Sequence, residues 1–417
     1  MERERGQASS DYVAVLLVVA LALGAAGALA SRHGGGIAQA VDRQMLRALC
    51  VARGGDCEVD RRPCVVASSR VVDRTTVTVA VVRLGHDRVI VREERSDGTV
   101  AVTLYERTTP GLEVGLGLRA GLTVDGRSLS LGGDVRGVAA LAIGRSRTWV
   151  VRDARAGDAL IERLAHPRPA LRRGRGARRL RPRDPRPLAP PSQTAGDHGF
   201  AVELGLTGAG LGVRLRSEDI AGARVEAATG RRTMYVRRAN ELMATFVRVR
   251  GEQLAQEQFA VTFDRAGRPV DLMVLRFGAL TAAPDLPQRA QAVAGALDVP
   301  SGHGRSWSTE EHLDLTDGAN LAAAHAFLAQ VVAPRPRLGQ VVTVSGALRA
   351  RLDAAAVVHA STYEVDTRRT ALTGSAAVGL RLAGSLEHST TTSRLLAAAT
   401  RGIDGVWRTR TECVARA

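Results

Sequence analysis

The chain has 417 residues, 45% hydrophobic and 3% aromatic, with a formal charge of +16. That apolar content excludes a disordered chain, and so few aromatics exclude an aromatic-lined pocket or a base-stacking surface. All 58 basic residues are arginine, and nine of them lie between Arg168 and Arg186 against one acid, Asp184, so about half of the excess charge sits in a single segment.

Residues 13–30, VAVLLVVALALGAAGALA, carry no charge. At 1.5 Å per residue they span roughly 27 Å, close to the hydrocarbon thickness of a bilayer, and they lack the polar stripe of a soluble helix. The preceding residues are Gly6, Gln7, Ala8, Ser9, Ser10, Asp11 and Tyr12. Together these residues resemble the leader and stem of Flp-type pilins and of the pseudopilins of Tad pilus systems. The resemblance implies cleavage between Gly6 and Gln7 by a prepilin peptidase, with Asp11 fifth and Tyr12 sixth in the mature chain. The family usually has Glu where this chain has Asp11. It also implies an assembly role for Asp11 and Tyr12, the carboxylate pairing with the freed amine of a neighbouring subunit, at a helix end where the dipole favours it. Two other routes fit the same residues: an uncleaved signal anchor, and a secretory peptide cut after Ala28-Leu29-Ala30. All three place the rest of the chain outside the cell.

Residues 31–63 begin with SRHGGG, a hinge, followed by Ile37, Val41, Met45 and Leu49 at helical spacing. Cys50, Cys57 and Cys64 follow at seven-residue intervals, and Cys413 lies near the end. Four cysteines in an exported chain predict two disulfides, with three pairings open; if all four pair, one bridge joins Cys413 to the cluster. The intervals do not match structural zinc, so no metal site is expected.

From Cys64 the apolar period becomes two. VTVAVVRLG, RVIVREER and TVAVTLYER read as strands, with Ser96-Asp97-Gly98-Thr99 as a hairpin turn. GLEVGLGLRAGLTVDG and RSLSLGGDVRGVAALAIG continue the pattern, and AGDALIERLAH reads as a short helix. Residues 167–197 are rich in Arg and Pro and read as a linker. Within them Arg172, Arg173, Arg175, Arg178 and Arg179 form a weak candidate site for anionic envelope polymers, with no specific nucleic acid expected. Strands resume over 198–417, with a turn at Asp264–Pro269 and helices near 285–298 and 318–332. Ser308 and Thr309 are placed as a helix cap before Glu310 and Glu311.

No catalytic motif stands out, so an enzyme and a cofactor are not expected. Glu310, Glu311, His312, His303 and His325 read as a solvated polar loop. The sequence therefore predicts a single N-terminal transmembrane helix with a mainly antiparallel β (α+β) extracellular domain. Its parts are 1–6 leader, 7–30 stem, 31–63 hinge and Cys-rich segment, 64–166 and 198–417 β-rich, with 167–197 between them. By resemblance the expected function is that of a surface-exposed component of a Tad-type apparatus in the cell membrane. Its expected partners are the membrane, prepilin peptidase and other pilus subunits. An envelope-tethered binding module is the alternative, and an exported enzyme using Glu311, His312 and Tyr363 a third reading.

Overall fold

The computed structural model describes residues 62–124, 127–165, 188–208, 211–246, 249–284, 302–331, 346–378 and 380–414. Gly6, Gln7, Asp11, Tyr12, the stem helix, Cys50, Cys57, the five candidate linker arginines and the helix expected at 285–298 lie outside these residues. Among the described residues no helix is long and apolar enough to cross a membrane, a statement that does not bear on strands.

The chain divides into two compact units. The larger holds residues 62–310, 360–398 and 410–417. Its strands are β1 (Val65–Val79), β2 (Val82–Arg95), β3 (Val100–Val124), β4 (Arg127–Val151), β5 (Gln193–Gly208), β6 (Leu211–Glu226), β7 (Arg232–Phe246), β8 (Val249–Phe263) and β9 (Pro269–Pro284), joined by the parts of β10 (Gly302–Asp314), β11 (Val357–Val378) and β12 (Leu380–Arg401) that fall within it. Their order in the sheet is their order in the sequence, and β12 returns to pair with β1 from Ala67↔Arg394 to Val79↔Leu382. Ser68 and Ser393, 325 residues apart, share a 2.6 Å hydroxyl hydrogen bond across that seam. The result is a closed barrel of twelve strands, which leaves no long edge to aggregate.

This closure overturns the expected fold class. Alternation along a strand is the same in an open α+β sheet and in a barrel, so local sequence does not report the pairing of its first and last strands. On either side of the Arg/Pro segment, β4 and β5 pair directly, from Thr148↔Gln193 to Asp134↔Thr207.

The hairpin turns follow local chemistry. Between β2 and β3, Gly98 takes a φ of 86°, and Asp97 Oδ1 accepts hydrogen bonds from Thr99 N at 2.9 Å and Thr99 Oγ1 at 2.7 Å. Between β8 and β9, Gly267 takes a φ of 82°. There the Arg268 N–H, together with its guanidinium, holds the Asp264 carboxyl below the usual carboxylate range. Both glycines occupy a region that L side chains rarely adopt.

Helix α1 (Ala154–Ala165) packs on the outer face of β2, β3 and β4. Leu160 and Leu164 meet Ile90, Val100, Val102, Leu104 and Trp149. Asp153 Oδ1 caps it by accepting from Ala156 N at 2.8 Å. Gly157 lets the helix approach closely, since an added Cβ would sit 3.0 Å from Val100 Cγ1.

The smaller unit includes residues 311–359 and 399–409. Helices α2 (Gly318–Val331) and α3 (Gly346–Ala355) pack together, with Phe327, Leu348 and Leu352 at most 1% exposed. The Asp317 side chain accepts from Asn320 N at 2.9 Å, and Arg351 Nε donates to Asn320 Oδ1 at 2.7 Å. A short strand, β13 (Trp407–Thr409), pairs with Ala399–Arg401. The expected polar loop is different here: Ser308 to Glu311 belong to β10, and Glu311 is 4% exposed and bonded to Arg349 at 3.3 Å.

Cys64 and Cys413 are joined by a disulfide with a Cα–Cα distance of 5.8 Å, and helix α4 (Thr411–Val414) carries Cys413. The bridge packs with Val66, Leu395 and Ala398, in contact with Tyr363. It spans 349 residues, yet the β1–β12 ladder already brings its ends together, so the bridge constrains the unfolded chain more than it shapes the folded one. Cys413→Ser is expected to lower unfolding free energy by on the order of 2 kcal/mol. A denaturation midpoint identical to that of the unaltered chain would contradict this.

Candidate functional site

Side chains alternate along a strand, and cross-strand partners share a face. The Arg74–Asp87 ion pair, 2.8 Å between β1 and β2, therefore sets the register of faces through the whole sheet. Even positions of β1, β4 and β6 and odd positions of β2, β3, β5 and β7 point into the barrel.

The inner face is charged. Arg74 also reaches Glu387 on β12 at 3.7 Å, and Arg369 on β11 bonds the same carboxylate at 2.8 Å. Arg214 pairs with Glu241 at 3.0 Å and lies 3.9 Å from Glu203. Thr78 donates to Glu113 at 3.1 Å. Across two intervening strands, Arg107 on β3 bonds Glu218 on β6 at 2.7 Å, with both side chains under 10% exposed. Arg216 and Arg237 share that carboxylate at 3.0 and 3.6 Å.

Beside this cluster, Tyr105 on β3 and Tyr235 on β7 both donate to Asp197 on β5, at 3.2 and 3.3 Å. Each reaches over one strand. The gaps are glycines: a Cβ on Gly144 would lie 2.1 Å from Asp197 Oδ1 and 2.5 Å from the Tyr105 hydroxyl, and one on Gly222 would lie 2.5 Å from the Tyr235 ring. No alternative residue gives both tyrosines this path, so the inner face is shaped by what these two positions lack.

The outer face is the reverse. Among the described residues, ten of the twelve strands carry exposed large apolar side chains there, among them Leu84, Leu112, Leu141, Leu204, Leu215 and Leu280, each at least half exposed. Scattered surface leucines are ordinary, but a belt of them round a sheet is not. Toward the β2–β3 and β8–β9 turns the belt gives way to a collar of outward ion pairs. These are Asp73–His388 at 2.7 Å, Asp219–Arg238 at 2.7 Å, Glu106–Arg147 at 3.3 Å and His303–Asp366 at 2.5 Å. A shallow hollow of about 220 Å³ beside Asp73, Leu386 and His388 opens on this outer surface.

Of the residues singled out from sequence, Cys64 and Cys413 are brought together. Tyr363 donates to the Val65 carbonyl at 3.3 Å, and the His312 ring lies edge-on to His359 with centroids 6.0 Å apart. Sequence reasoning did not find the inner cluster. Asp197 was assigned to the linker, and Arg107 and Glu218 are 111 residues apart. The one available signal was that three of the chain's four tyrosines, Tyr105, Tyr235 and Tyr363, lie on strand segments.

No protein-family model matches the chain, and no curated protein matches it in sequence. Several solved structures do. The translocator domain of the autotransporter NalP from Neisseria meningitidis is 10% identical, over 87% of this chain and 98% of that one, with a TM-score of 0.24. The toluene transporter TodX of Pseudomonas putida is 9% identical, over 79% and 89%, with a TM-score of 0.16. OccK7 of Pseudomonas aeruginosa is 10% identical, over 79% and 99%, with a TM-score of 0.18. TM-scores of this size carry no argument for this chain.

The pilin-like expectations are nonetheless overturned. No family model supports the leader resemblance. The decisive finding is the barrel itself. A stem helix holding a water-exposed ectodomain calls for a β part with an apolar interior and a polar surface. This one has a charged interior and an apolar belt, which removes the basis for a Tad-type component and for a single-pass protein with an extracellular domain.

Proposed function

We propose that the chain is a membrane-inserted β-barrel whose charged lumen passes ions or small hydrophilic solutes. The carrying observation is the inversion of faces: exposed leucines outward, ion pairs inward, and a collar of outward ion pairs bounding the belt. In lipid, every strand must satisfy its backbone polar groups, and a closed sheet does so with no free edge. The belt meets the hydrocarbon, the collar suits the head-group region, and the polar lumen admits water. On this reading the membrane is the chain's main partner, and the chain is a passage and not an enzyme.

The test is reconstitution of the purified chain into planar lipid bilayers. Discrete conductance steps are expected. The Arg107–Glu218 pair, which crosses the lumen, favours a second reading: a filled barrel that acts as an anchor. Stable insertion without any conductance would select that reading and remove the passage.

A further inference from the structure

We propose that the C-terminal helix α4 is a redox-released plug, latched by the Cys64–Cys413 disulfide against the inner wall at one mouth of the barrel. The inference rests on reading the lumen as a passage.

Placement of the helix is the first argument. Odd positions of β12 face inward, as Glu387 does where it meets Arg74. The Thr367 and Thr391 hydroxyls, 3.2 Å apart, put odd positions of β11 on the same face. Tyr363 and Leu395 are therefore inward side chains. Cys413 and Val414 of α4 pack in one cluster with them. The helix thus lies on the lumen side of the wall, at the mouth where the chain enters β1, and takes up part of the cross-section there.

The way the helix is held is the second argument. Cys64 is fixed at the rim: its N–H donates to Ser96 Oγ at 3.0 Å, and its carbonyl accepts from Ser96 N at 2.8 Å. Arg410, just ahead of the helix, is fixed as well. Its Nη2 donates to the Arg62 carbonyl at 2.8 Å, and its N–H to the Ala398 carbonyl at 2.9 Å. Helix α4 itself is a single turn of four residues, too short to persist without packing. It meets the wall through the bridge and the small apolar cluster. The barrel depends on the bridge much less, since the β1–β12 ladder runs from Ala67↔Arg394 to Val79↔Leu382. Cutting the bridge therefore frees the plug and leaves the barrel closed.

Cys413 is 0% exposed and Cys64 is half-buried, so a dithiol enters at Cys64 Sγ. Its thiolate bonds to that sulfur and displaces Cys413 as a thiolate. Its second thiol then displaces Cys64, and the reagent closes to a cyclic disulfide. Two electrons and two protons pass from the dithiol to the cysteines, which end as thiols.

The experiment records the full chain in planar bilayers before and after dithiothreitol. The conductance step is expected to rise at least about twofold, because a barrel of this strand number encloses a narrow lumen. The double variant Cys64→Ser, Cys413→Ser is expected to show the larger step without thiol and no further change with it, which excludes an effect of the thiol elsewhere in the chain. Hydrogen exchange over residues 411–414 is expected to quicken about tenfold or more on reduction, while the β1 and β12 amides stay protected. Conductance that ignores both thiol and double variant, or exchange at 411–414 that reduction leaves unchanged, overturns the latch and leaves the passage standing. A chain that conducts in neither state removes the passage, and the latch with it.

Discussion

Glu218→Gln is expected to destabilise the folded barrel by roughly 3–5 kcal/mol, the usual result of removing one partner from a buried ion pair. The reason is specific to its surroundings. Glu218 is 8% exposed and is the acceptor for Arg107 at 2.7 Å and Arg216 at 3.0 Å, with Arg237 at 3.6 Å. A neutral amide leaves three guanidiniums facing one another. Denaturant unfolding of the chain in micelles reads the loss. The double variant Glu218→Gln, Arg107→Gln is expected to recover part of it, because one of the stranded cations is gone. Glu106→Gln, on the collar, removes a pair whose side chains are 44% and 47% exposed and is expected to cost under about 1 kcal/mol. Equal effects at the two positions would mean that the lumen is no drier than the outer surface.

What sequence conveyed and what it withheld divide along the range of the interactions. The Ser96–Thr99 and Asp264–Pro269 turns were legible because Asp and Gly act within four residues, the carboxylate accepting local N–H groups while glycine takes the positive φ. Helices α1 and α2 were legible from runs rich in Ala and Leu, both strong helix formers. The closure of β1 on β12 was not, since Ala67 and Arg394 share no local signal. The barrel pattern itself was present in GLEVGLGLRAGLTV and in GFAVELGLTGAGLGVRL, where apolar residues alternate with glycine or charge. In a soluble sheet the apolar side of such a strand is the core side, whereas here it is the outer side. The alternation signal is also far weaker per segment than eighteen consecutive apolar residues, so residues 13–30 dominated the reading. Asp197 was obscured differently: it follows a proline-rich stretch, and only the registers Gly144↔Asp197 and Asp197↔Gly222 reveal that two glycines open its path to Tyr105 and Tyr235.

The assignment of faces has a direct consequence at Leu215. This side chain is outward on β6 and 50% exposed, with Leu204 and Leu242 as its cross-strand partners. On a water-facing surface, Leu→Arg at such a position changes stability by no more than about 0.5 kcal/mol, since the side chain already meets solvent. Against hydrocarbon the same change is expected to cost roughly 2–4 kcal/mol, with the guanidinium forced to seek the interface. Refolding Leu215→Arg into lipid vesicles, followed by denaturant titration, measures the difference. Ser217→Arg is the internal comparison. It lies on the same face two residues nearer the collar, where Asp219 and Arg238 already form an ion pair, and its expected cost is under about 1 kcal/mol. A gradient between these two neighbours is what a bilayer imposes and bulk water does not. If both substitutions proved neutral, the leucine belt would have to face water, and the membrane reading of the barrel would fail with it.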